Sequence, residues 1–519
     1  MSSTFDLAIV GSGFGGSLLA MIARRLGLSV VLLEKARHPR FVIGESTTPL
    51  TNLLLEELAR RYDLPRLLPL TKWGTWQAAY PEIACGLKRG FTFYQHQFGR
   101  PFAAAPDRRD QLLVAASPHD RIADTHWYRP EFDHFFVREA QECGVEYLDE
   151  TALETAEWRG RDVILTGSRR NTPLSIASRF VVDAAGPRGF LQRALNLPGA
   201  AFADLPATQG LYTHFRGVRR LEDLEAYGSD EQPPYPPDDA AVHHVFDGGW
   251  IWILRFNNGV ASAGVAAVDK LATELKFEEG ARGWERLLRR LPTVAAQFAE
   301  AEPLLPFIHA ARLPFRGEVV VGDRFALLPS AAGFVDPLLS TGFPLTLLGV
   351  SRLARAFAED WGSSRLQETL RSYAADTSSD LLAAERMVAA LYANMRDFEL
   401  FTAVSLLYFA AVSFAEAARR LGRPEIAASF LLRDDPAFGP EARLCLEAAL
   451  GSPTGQAKAE LTRRIQNTIA GFDVAGLCNR DRRNWHPVTA SELLDAAPKL
   501  GVTQQRIHNL LAQTGFFLP

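Results

Sequence analysis

The chain has 519 residues, more than one hydrophobic core normally organises, so we expect two or more cooperating regions. Apolar residues make up 47% and charged residues 22%, a balance typical of globular proteins and not of disordered chains. The net charge of -4 argues against nucleic acid as a partner, because phosphate binding requires a basic surface.

The cysteines and the apolar segments indicate the compartment. Cys85, Cys143, Cys445 and Cys478 lack metal-site spacing and are too few to staple a chain of this length, so we expect no bound metal and a reducing cytoplasm. The N-terminus lacks the basic region and long apolar core of a signal peptide. The apolar run over residues 400–415 is shorter than the roughly 20 residues that cross a membrane, which favours a buried or docking helix over a membrane span.

The N-terminal segment predicts a strand, a glycine turn, a helix and a second strand. "FDLAIV" is typical of a buried parallel strand, and "LSVVLLEK" of another that ends in an acid. Between them, Gly11, Gly13 and Gly16 form G-x-G-x-x-G in the context of a dinucleotide site. Gly11 permits the turn, Gly13 lets the backbone approach a pyrophosphate, and Gly16 lets helix and strand pack closely. The pyrophosphate would lie at the helix N-terminus, and Glu34 would accept hydrogen bonds from the ribose.

The stretch "GGWIWILRFNNGVASAGVAA", residues 248–267, predicts a β-hairpin. Alternation along a strand puts Trp250 and Trp252 on one side, and Asn258-Gly259 is a strong hairpin-turn signal. The small residues of the return strand leave room for both indoles. Taken alone, this pattern favours a sheet packed on a core.

Beyond the glycine motif, the chain resembles the FAD-dependent oxidoreductases related to para-hydroxybenzoate hydroxylase. The similar segments, in family order, are "RHPRFVIGESTTP" at 37–49, "WYRPEFDHFFVREAQECGVEYL" at 127–148, "FVVDAAGPRG" at 180–189 and "VVVGDRFALLPSAAGFVDPLLSTG" at 319–342. The resemblance implies FAD as the cofactor, with Asp323 bonding its ribityl chain, although from the residues alone Asp323 could instead cap the next turn. The other flavin-binding residues that it implies are Glu45, Ser46, Arg129, Pro337 and Gly342.

Three segments resemble the flavin-dependent halogenases within that group. The stretch Trp250-Ile251-Trp252-Ile253-Leu254 resembles W-x-W-x-I-P, with Leu254 in the place that we assign to the proline. The other two matches are Phe334, Pro337, Ser340 and Gly342 to F-x-x-P-x-x-S-x-G, and Lys88, Gly90 and Phe93 to K-x-G-x-x-F.

The halogenase resemblance implies that reduced FAD, oxygen and chloride or bromide together give hypohalous acid. Backbone N–H groups of Thr341 and Gly342 would hold the halide, as amides in a tight turn can. Ser340 is assigned to the catalytic machinery of the same turn. From the residues alone, Ser340 and Thr341 could be ordinary helix caps and Pro337 an ordinary turn former.

The resemblance also implies that hypohalous acid crosses to the organic substrate, where Lys88 positions it. Desolvation would bring the pKa of this ammonium toward neutrality. Lys72, which also precedes aromatic residues, is a rival for the role. Trp250, Trp252 and Phe334 would form the barrier between flavin and substrate.

The substrate is narrowed by one difference from tryptophan halogenases, which place a glutamate immediately before the S-T-G turn. That position is Leu339 here, and the turn should aim Asp336 elsewhere, so free tryptophan is disfavoured. A phenol or pyrrole, free or tethered to a carrier protein, is the expected aromatic. Reduced FAD would come from a separate flavin reductase. The alternatives are an aromatic hydroxylase or isoprenoid-type reductase of the same fold, and a catalytically silent flavin-binding protein.

The predicted fold is mixed α/β. A Rossmann-like FAD-binding domain over residues 1–350 would be interleaved with a substrate-side antiparallel sheet at roughly 80–130 and 195–310. Residues 351–519 have helical patterns with breaks at proline and glycine, and predict a helical C-terminal region that covers the substrate pocket.

Overall fold

The computed structural model describes residues 4–187, 189–228 and 231–518. In chain order, the strands are β1 (Phe5–Val10), β2 (Val30–Leu33), β3 (Cys85–Lys88), β4 (Gly90–Gln95), β5 (Gln111–Ala115), β6 (Asp124–Trp127), β7 (Glu146–Leu148), β8 (Thr151–Arg159), β9 (Asp162–Arg169), β10 (Thr172–Asp183), β11 (Gly199–Ala200), β12 (Thr208–Arg216), β13 (Ala241–Phe246), β14 (Gly249–Arg255), β15 (Ala261–Val268), β16 (Glu302–Pro303), β17 (Ile308–Ala310), β18 (Phe315–Gly317), β19 (Val321–Gly322), β20 (Phe325–Leu327), β21 (Gly333–Phe334) and β22 (Trp485–His486).

The α-helices, in the same order, are α1 (Phe14–Arg25), α2 (Pro49–Arg61), α3 (Trp73–Ala79), α4 (Arg129–Glu142), α5 (Phe190–Ala194), α6 (Asp269–Glu274), α7 (Ala281–Arg290), α8 (Pro292–Gln297), α9 (Pro329–Ala332), α10 (Gly342–Asp360), α11 (Leu366–Ala393), α12 (Phe398–Arg420), α13 (Phe438–Leu450), α14 (Gly455–Ala470), α15 (Ala490–Asp495) and α16 (Gln504–Gln513). The mixed α/β class is confirmed.

The first sheet contains the glycine motif. Its strands lie in the order β19-β20-β10-β1-β2-β7, and β1 is parallel to both of its neighbours, β10 and β2. Leu7, Ala8 and Ile9 of β1 are fully buried, as expected of a strand covered on both faces. The predicted strand–helix–strand unit is therefore confirmed, and the turn between β1 and α1 lies at the carboxyl edge of the sheet, where such folds bind ligands.

The second sheet has nine strands and is largely antiparallel. It follows the order β16-β12-β15-β14-β13-β4-β5-β22, and β17 also pairs with β12. The hairpin predicted around Asn258-Gly259 is confirmed as β14 and β15, which place Trp250 opposite Ala266 and Trp252 opposite Gly264.

The indoles fit this sheet because the facing strand carries small residues. Trp250 is 1% exposed and Trp252 is 6% exposed, and their ring centroids lie 5.7 Å apart. A Cβ added at Gly264 would overlap the Trp252 ring and the Cβ of Tyr212. The absence of a side chain at this glycine is therefore what admits the second indole.

Helices dominate the chain after β21. The helix α10 crosses the predicted boundary at residue 350, so the part predicted to bind FAD continues directly into the helical region. The short strand β22 returns from that region and pairs with β5 in the second sheet, which the sequence did not predict.

The apolar segment predicted at 400–415 is part of the longer helix α12. With 23 residues, α12 is long and apolar enough to cross a membrane by length and composition, but 78% of its apolar window is buried inside the protein. Burial of this kind is typical of a core helix, so length and composition are weak grounds for a membrane span here.

Replacing Gly264 with Ala tests the fit of the indoles. We expect Gly264→Ala to lower the free energy of unfolding by about 1–3 kcal/mol, because the new methyl group overpacks the core. Urea unfolding followed by tryptophan fluorescence measures the change. Gly471→Ala is the matched control, since a Cβ there meets nothing within 4 Å. Equal stabilities of Gly264→Ala and the wild type would contradict the packing described here.

Candidate active site

The turn between β1 and α1 is built to let another molecule approach the backbone. Gly11 has φ of +103°, in the region that favours glycine, and a Cβ at Gly16 would overlap the carbonyl oxygen of Gly11. A Cβ at Gly13 would lie 3.4 Å from Nη2 of Arg129 and 3.8 Å from Nη2 of Arg40. Two guanidinium groups therefore border the bare backbone at the start of α1.

Glu34 closes the other side of this turn. Its carboxylate accepts hydrogen bonds from the backbone N–H groups of Ser12 and Ala36, at 3.1 and 3.0 Å, and from Nη2 of Arg40 at 3.2 Å. Burial raises the pKa of Glu34, but Arg40 and the two N–H donors outweigh it and hold the pKa below its ordinary value. An ionised acceptor thus lies at the end of β2, as a ribose-binding residue requires.

Arg129 lies at the start of α4 and is fixed by Asp133 and by the loop after β2. Its Nε and Nη2 atoms donate to the Asp133 carboxylate at 2.8 and 2.7 Å, and its Nη1 atom donates to the Gly44 carbonyl at 2.9 Å. Cationic groups, a helix N-terminus and a glycine cradle together fit a pyrophosphate. The residues present therefore fit a dinucleotide cofactor such as FAD.

The structure corrects the prediction for Asp323. This residue precedes β20, which runs parallel to β10 and ends at Leu327, so Asp323 lies at the edge of the sheet opposite the glycine turn. Its side chain is 74% exposed and pairs with Arg324 at 2.9 Å. The chain reaches the carboxyl edge only later, at Pro329 and Ser330. The Gly-Asp pattern led to a wrong prediction because the pair lies at the turn of the short hairpin β19–β20 and not at the carboxyl end of a strand.

Glu45 and Ser46 lie in the loop before α2. Glu45 contacts the second sheet, and Ser46 contacts the two-stranded sheet formed by β3 and β6. The Glu45 carboxylate is 2.9 Å from Nε2 of His214, and its other oxygen, Oε2, is buried without a hydrogen-bond partner in the described part of the chain. The Ser46 hydroxyl accepts a hydrogen bond from Nζ of Lys88 at 2.8 Å. This loop therefore joins the nucleotide turn to the predicted lysine.

Lys88 is fully buried at the end of β3. Its ammonium donates to the Ser46 hydroxyl and, at 2.5 Å, to the Thr47 carbonyl, and lies 3.8 Å above the centre of the Phe91 ring. Burial lowers the pKa of Lys88, and the attraction of Asp124 on the neighbouring strand β6 only partly opposes this. The lysine is thus a desolvated amine with a lowered pKa and not a surface charge.

A cavity of about 190 Å³ adjoins this lysine. Phe91 and Asp124, the two residues that Lys88 faces, line it, and so does Lys72. The rest of the wall is mainly apolar and comes from α2, β5, α12 and the C-terminal residues around α16. Lys72 is less buried than Lys88, and its ammonium lies 3.5 Å from the Thr514 carbonyl, at the side closed by the C-terminus.

Trp250 and Trp252 together form what we call the indole wall. Hydrogen bonds connect Trp250 of this wall to the loop before α10. Nε1 of Trp250 donates to the Tyr392 hydroxyl at 3.2 Å, and that hydroxyl donates to Oδ2 of Asp336 at 2.9 Å. The second carboxylate oxygen of Asp336 accepts from the N–H of Leu338 at 3.0 Å. Burial raises the pKa of Asp336 to about 7, and these donors limit the rise. Asp336 is therefore an anchor of the loop, not a group directed at the large cavity.

The predicted halide turn has a strained backbone. Leu339 and Ser340 have φ of 63° and 55°, and non-glycine residues in this region cluster at functional sites. The helix α10 begins at Gly342, so the N–H groups of Thr341 and Gly342 lie in its first turn, where no helical carbonyl is available to them. Thr341, Gly342, Phe334 and Asp336 line a small cavity of about 30 Å³.

The other residues of that motif lie around the same turn. Pro337 starts the single-turn helix that contains Leu339, and the carbonyl of Pro337 accepts the N–H of Ser340 at 3.1 Å. The Phe334 ring lies 3.9 Å from the position of a Cβ on Gly342. The structure thus brings Phe334 to the halide turn and not to the pair of indoles.

The tryptophan signature needs one correction. Counted from Trp250, its isoleucine position is Leu254 and its proline position is Arg255. Leu254 is buried within β14, so that exchange is conservative. Arg255 pairs with the buried carboxylate of Asp238 at 2.6 Å and donates to the carbonyls of Val218 and Arg219. Arg255, the residue that departs from the motif, therefore fixes the loop of Val218 and Arg219 next to the second sheet.

Four residues of the site were missed by the sequence reasoning: Arg40, Asp124, Tyr392 and His243. Arg40 lies in the segment "RHPRF", whose paired arginines were a usable signal. His243 contacts the Trp250 ring at a tilt and stacks on the Phe93 ring, with ring centroids 5.1 and 4.4 Å away. No local sequence pattern marks Asp124, Tyr392 or His243, because only the tertiary fold brings these residues to the site.

Fold and site together define an oxidoreductase of the dinucleotide-binding α/β class, and the comparisons with known proteins name the family. A family model described as tryptophan halogenase matches residues 124–401, more than half of the chain, and one described as an NAD(P)-binding Rossmann-like domain matches residues 9–52. The chain belongs to the tryptophan halogenase family, which confirms the predicted relation to flavin-dependent halogenases.

Individual relatives agree with this assignment. The monodechloroaminopyrrolnitrin halogenase PrnC of Pseudomonas fluorescens is 28% identical over 424 residues, 78% of this chain and 71% of the relative. The tetracycline 7-halogenase of Kitasatospora aureofaciens is 28% identical over 371 residues, 69% of this chain and 64% of the relative. The solved structure of halogenase PltM in complex with phloroglucinol and FAD is 24% identical with a TM-score of 0.79, covering 93% of this chain and 99% of that one.

Tyr392→Phe tests the link between the indole wall and the loop before α10. Removing the hydroxyl leaves the Trp250 N–H and one Asp336 oxygen buried without this partner, so we expect the free energy of unfolding to fall by about 1–3 kcal/mol. Urea unfolding measures it. Tyr212→Phe is the control, because the Tyr212 ring also lies near Trp252 but no hydrogen bond of its hydroxyl is found within the described ranges. Equal losses in the two variants would contradict the proposed link.

Proposed function

We propose that this protein is an FAD-dependent halogenase that oxidises chloride or bromide and halogenates a phenol in the cavity beside Lys88. The observation that carries the proposal is the burial of Lys88. A fully buried ammonium, held by two oxygen acceptors behind residues that line a cavity, is costly to the fold and is expected where its chemistry is used.

The residues that would hold FAD fall into groups that contact its pyrophosphate, its adenosine ribose and its flavin. Gly11, Gly13 and Gly16 with Arg129 and Arg40 would bind the pyrophosphate, and Glu34 the adenosine ribose. The loop that carries Glu45 and Ser46 would contact the flavin from one side. The turn that carries Pro337 and Gly342 would contact it from the other. When bound and reduced, FAD supplies the activation of oxygen by which halide is oxidised to hypohalous acid.

The turn before α10 would bind the halide. Amide N–H groups in a strained turn are oriented donors, and they favour an anion when water is excluded. Leu339 and Ser340 hold that backbone shape, the Tyr408 hydroxyl fixes the Leu339 carbonyl at 2.9 Å, and Phe334 shields the opening. Ser340 would act by shaping the turn, since its backbone conformation is what directs the next two N–H groups.

The indole wall would keep the aromatic substrate away from the flavin. Contacts lead from the turn through Asp336 and Tyr392 to Trp250, and from Trp250 through His243 to the Phe91 ring under Lys88. This order of contacts supports a position of the rings between the halide turn and the lysine. Hypohalous acid is small enough to pass such a wall, and the Lys88 ammonium would donate a hydrogen bond to it on the far side.

A phenol fits the cavity better than tryptophan does. The position before the S-T-G motif is the buried Leu339, so no carboxylate is offered there to an indole N–H. The cavity volume of about 190 Å³ suits one small aromatic ring, and the related PltM was solved with phloroglucinol. We favour a free phenol over a carrier-tethered pyrrole, because residues around α16 line the cavity and narrow the approach of a carrier protein.

We also infer a separate flavin reductase and a cytoplasmic location. The Rossmann-like match covers residues 9–52, which the FAD site itself would use, so reducing equivalents would come from another protein. All four cysteines are free thiols, which suits a reducing compartment.

Substitution of the two lysines tests the proposed function. We expect Lys88→Met, which keeps the buried volume, to lower halogenation of a phenol by at least about 100-fold, because the group that positions hypohalous acid is lost. Lys72→Met, the matched control, should stay within about threefold of the wild type. The assay supplies FAD, bromide, oxygen and a flavin reductase with NADH, and product is measured by mass spectrometry.

Three outcomes would contradict the proposal. If Lys72→Met loses activity and Lys88→Met keeps it, the lysine roles are exchanged. If NADPH alone rapidly bleaches the flavin and the phenol is hydroxylated, the protein is an aromatic hydroxylase of the same fold. If FAD binds but neither oxygen nor any phenol or pyrrole reacts, the protein is a silent flavin-binding protein.

A further inference from the structure

Asp124 is a buried acid that faces both Lys88 and the cavity. Lys88 and Asp124 are opposite each other in the antiparallel pair β3–β6, so their side chains leave the same face. Oδ1 of Asp124 accepts a hydrogen bond from the Asn52 side chain at 2.8 Å. Oδ2 is buried and has no hydrogen-bond partner in residues 4–187, 189–228 and 231–518. A buried oxygen without a partner is costly unless a bound molecule completes it.

The other charged groups near the cavity do not satisfy this oxygen. Glu416 and Arg420, on α12, pair with each other at 2.7 Å, and Arg420 also lies 3.8 Å from Glu56. The Lys88 ammonium lies more than 4 Å from the carboxylate oxygens of Asp124, since the two groups form no ion pair among the described residues. Lys72 donates to the Thr514 carbonyl at 3.5 Å. Asp124 is therefore the acid whose bonding capacity is left for a ligand.

We propose that the Asp124 carboxylate accepts the O–H proton of a phenol bound in this cavity and is a catalytic residue of ring halogenation. This inference rests on the proposed function and deepens it, since it names the group that makes the ring reactive. Burial and the nearby Glu416 raise the pKa of Asp124, while Asn52, Lys88 and Arg420 lower it, so the carboxyl is a stronger base than an exposed aspartate.

The reaction balances as phenol plus hypohalous acid giving halophenol plus water. Asp124 takes the O–H proton, and the ring carbon then attacks the halogen, so that a C–X bond forms and the X–O bond breaks. The departing hydroxide takes a proton from the Lys88 ammonium and becomes water. The Lys88 amine removes the proton from the halogenated carbon, and Asp124 returns its proton to the oxygen. The halogen is reduced and the ring carbon is oxidised by the same electron pair.

The arrangement also explains how the chain acts without a glutamate before the S-T-G motif. A carboxylate on β6 approaches the cavity from the side of Lys88 and not from the halide turn. The Asp124 carboxylate and the Lys88 ammonium together select an aromatic substrate with an acidic O–H group. A pyrrole N–H is too weak an acid to give up its proton to a carboxylate, so phenols are the preferred class.

The test compares phenols of different acidity on the holoenzyme with its reductase. For an unactivated phenol, we expect Asp124→Asn to lower kcat/KM by about 100-fold, the usual effect of a lost general base. For a nitrophenol that is already ionised at the assay pH, the loss should stay within about threefold. Glu399→Gln, which removes an exposed acid of α12 that is paired with Lys458, should stay within about threefold for both. FAD retention and circular dichroism check the fold.

A wild-type measurement covers the case in which Asp124→Asn does not fold. The O-methyl ether of the same phenol offers no proton, and we expect it to be at least about 100-fold poorer as a substrate of the wild type. An equally good ether, or a loss in Asp124→Asn that is the same for all phenols, would overturn the assignment and leave Asp124 with a structural role.

Failure of this inference is distinguishable from failure of the proposed function. Binding of the unactivated phenol to the oxidised holoenzyme, measured by calorimetry, requires no turnover. If the wild type binds the phenol, Asp124→Asn binds it at least tenfold more weakly and neither halogenates, the proposed function is wrong while Asp124 remains the phenol acceptor. If the wild type halogenates and Asp124→Asn matches it throughout, the proposed function stands and the assignment of Asp124 is wrong.

Discussion

The two indole rings of β14 occupy space that the facing strand leaves free, and the rest of the site is arranged around them. Gly264 and Ala266 lie opposite Trp252 and Trp250, so large rings and minimal side chains pair across the sheet. Side chains in a closely packed protein interior move little, and the indole wall is therefore rigid. In the proposed function, this rigidity would let one side serve as a flavin and halide compartment and the other as a cavity for an aromatic ring.

Desolvation gives the polar groups on both sides of the wall their chemical character. Lys88, Asp124 and Asp336 are all buried, and burial shifts the pKa of each toward neutrality. Carboxyl and ammonium groups with such values can exchange protons near physiological pH. The same exclusion of water strengthens hydrogen bonds from the backbone N–H groups of the strained turn to an anion. In the proposed function, one physical cause would thus serve halide binding, delivery and ring activation.

The sequence predicted what depends on local patterns. The glycine turn, the strands beside it and the tryptophan hairpin follow from spacing and periodicity, and the structure has all three. Asp323 was misplaced because a glycine–aspartate pair looks alike at either end of a strand, and only the register of β20 with β10 shows which end it occupies. Asp124 and Tyr392 meet the site from distant segments, so contacts that no local pattern encodes decide their roles.

The partition of the site is tested most directly by a crystal structure of the FAD-bound protein soaked in bromide, with data collected at the bromine absorption edge. The account predicts an anomalous peak within hydrogen-bonding distance of the Thr341 and Gly342 amide nitrogens, on the flavin side of Trp250, with Lys88 facing the cavity on the other side. A peak beside Lys88 in that cavity, with none at the turn, would contradict the account.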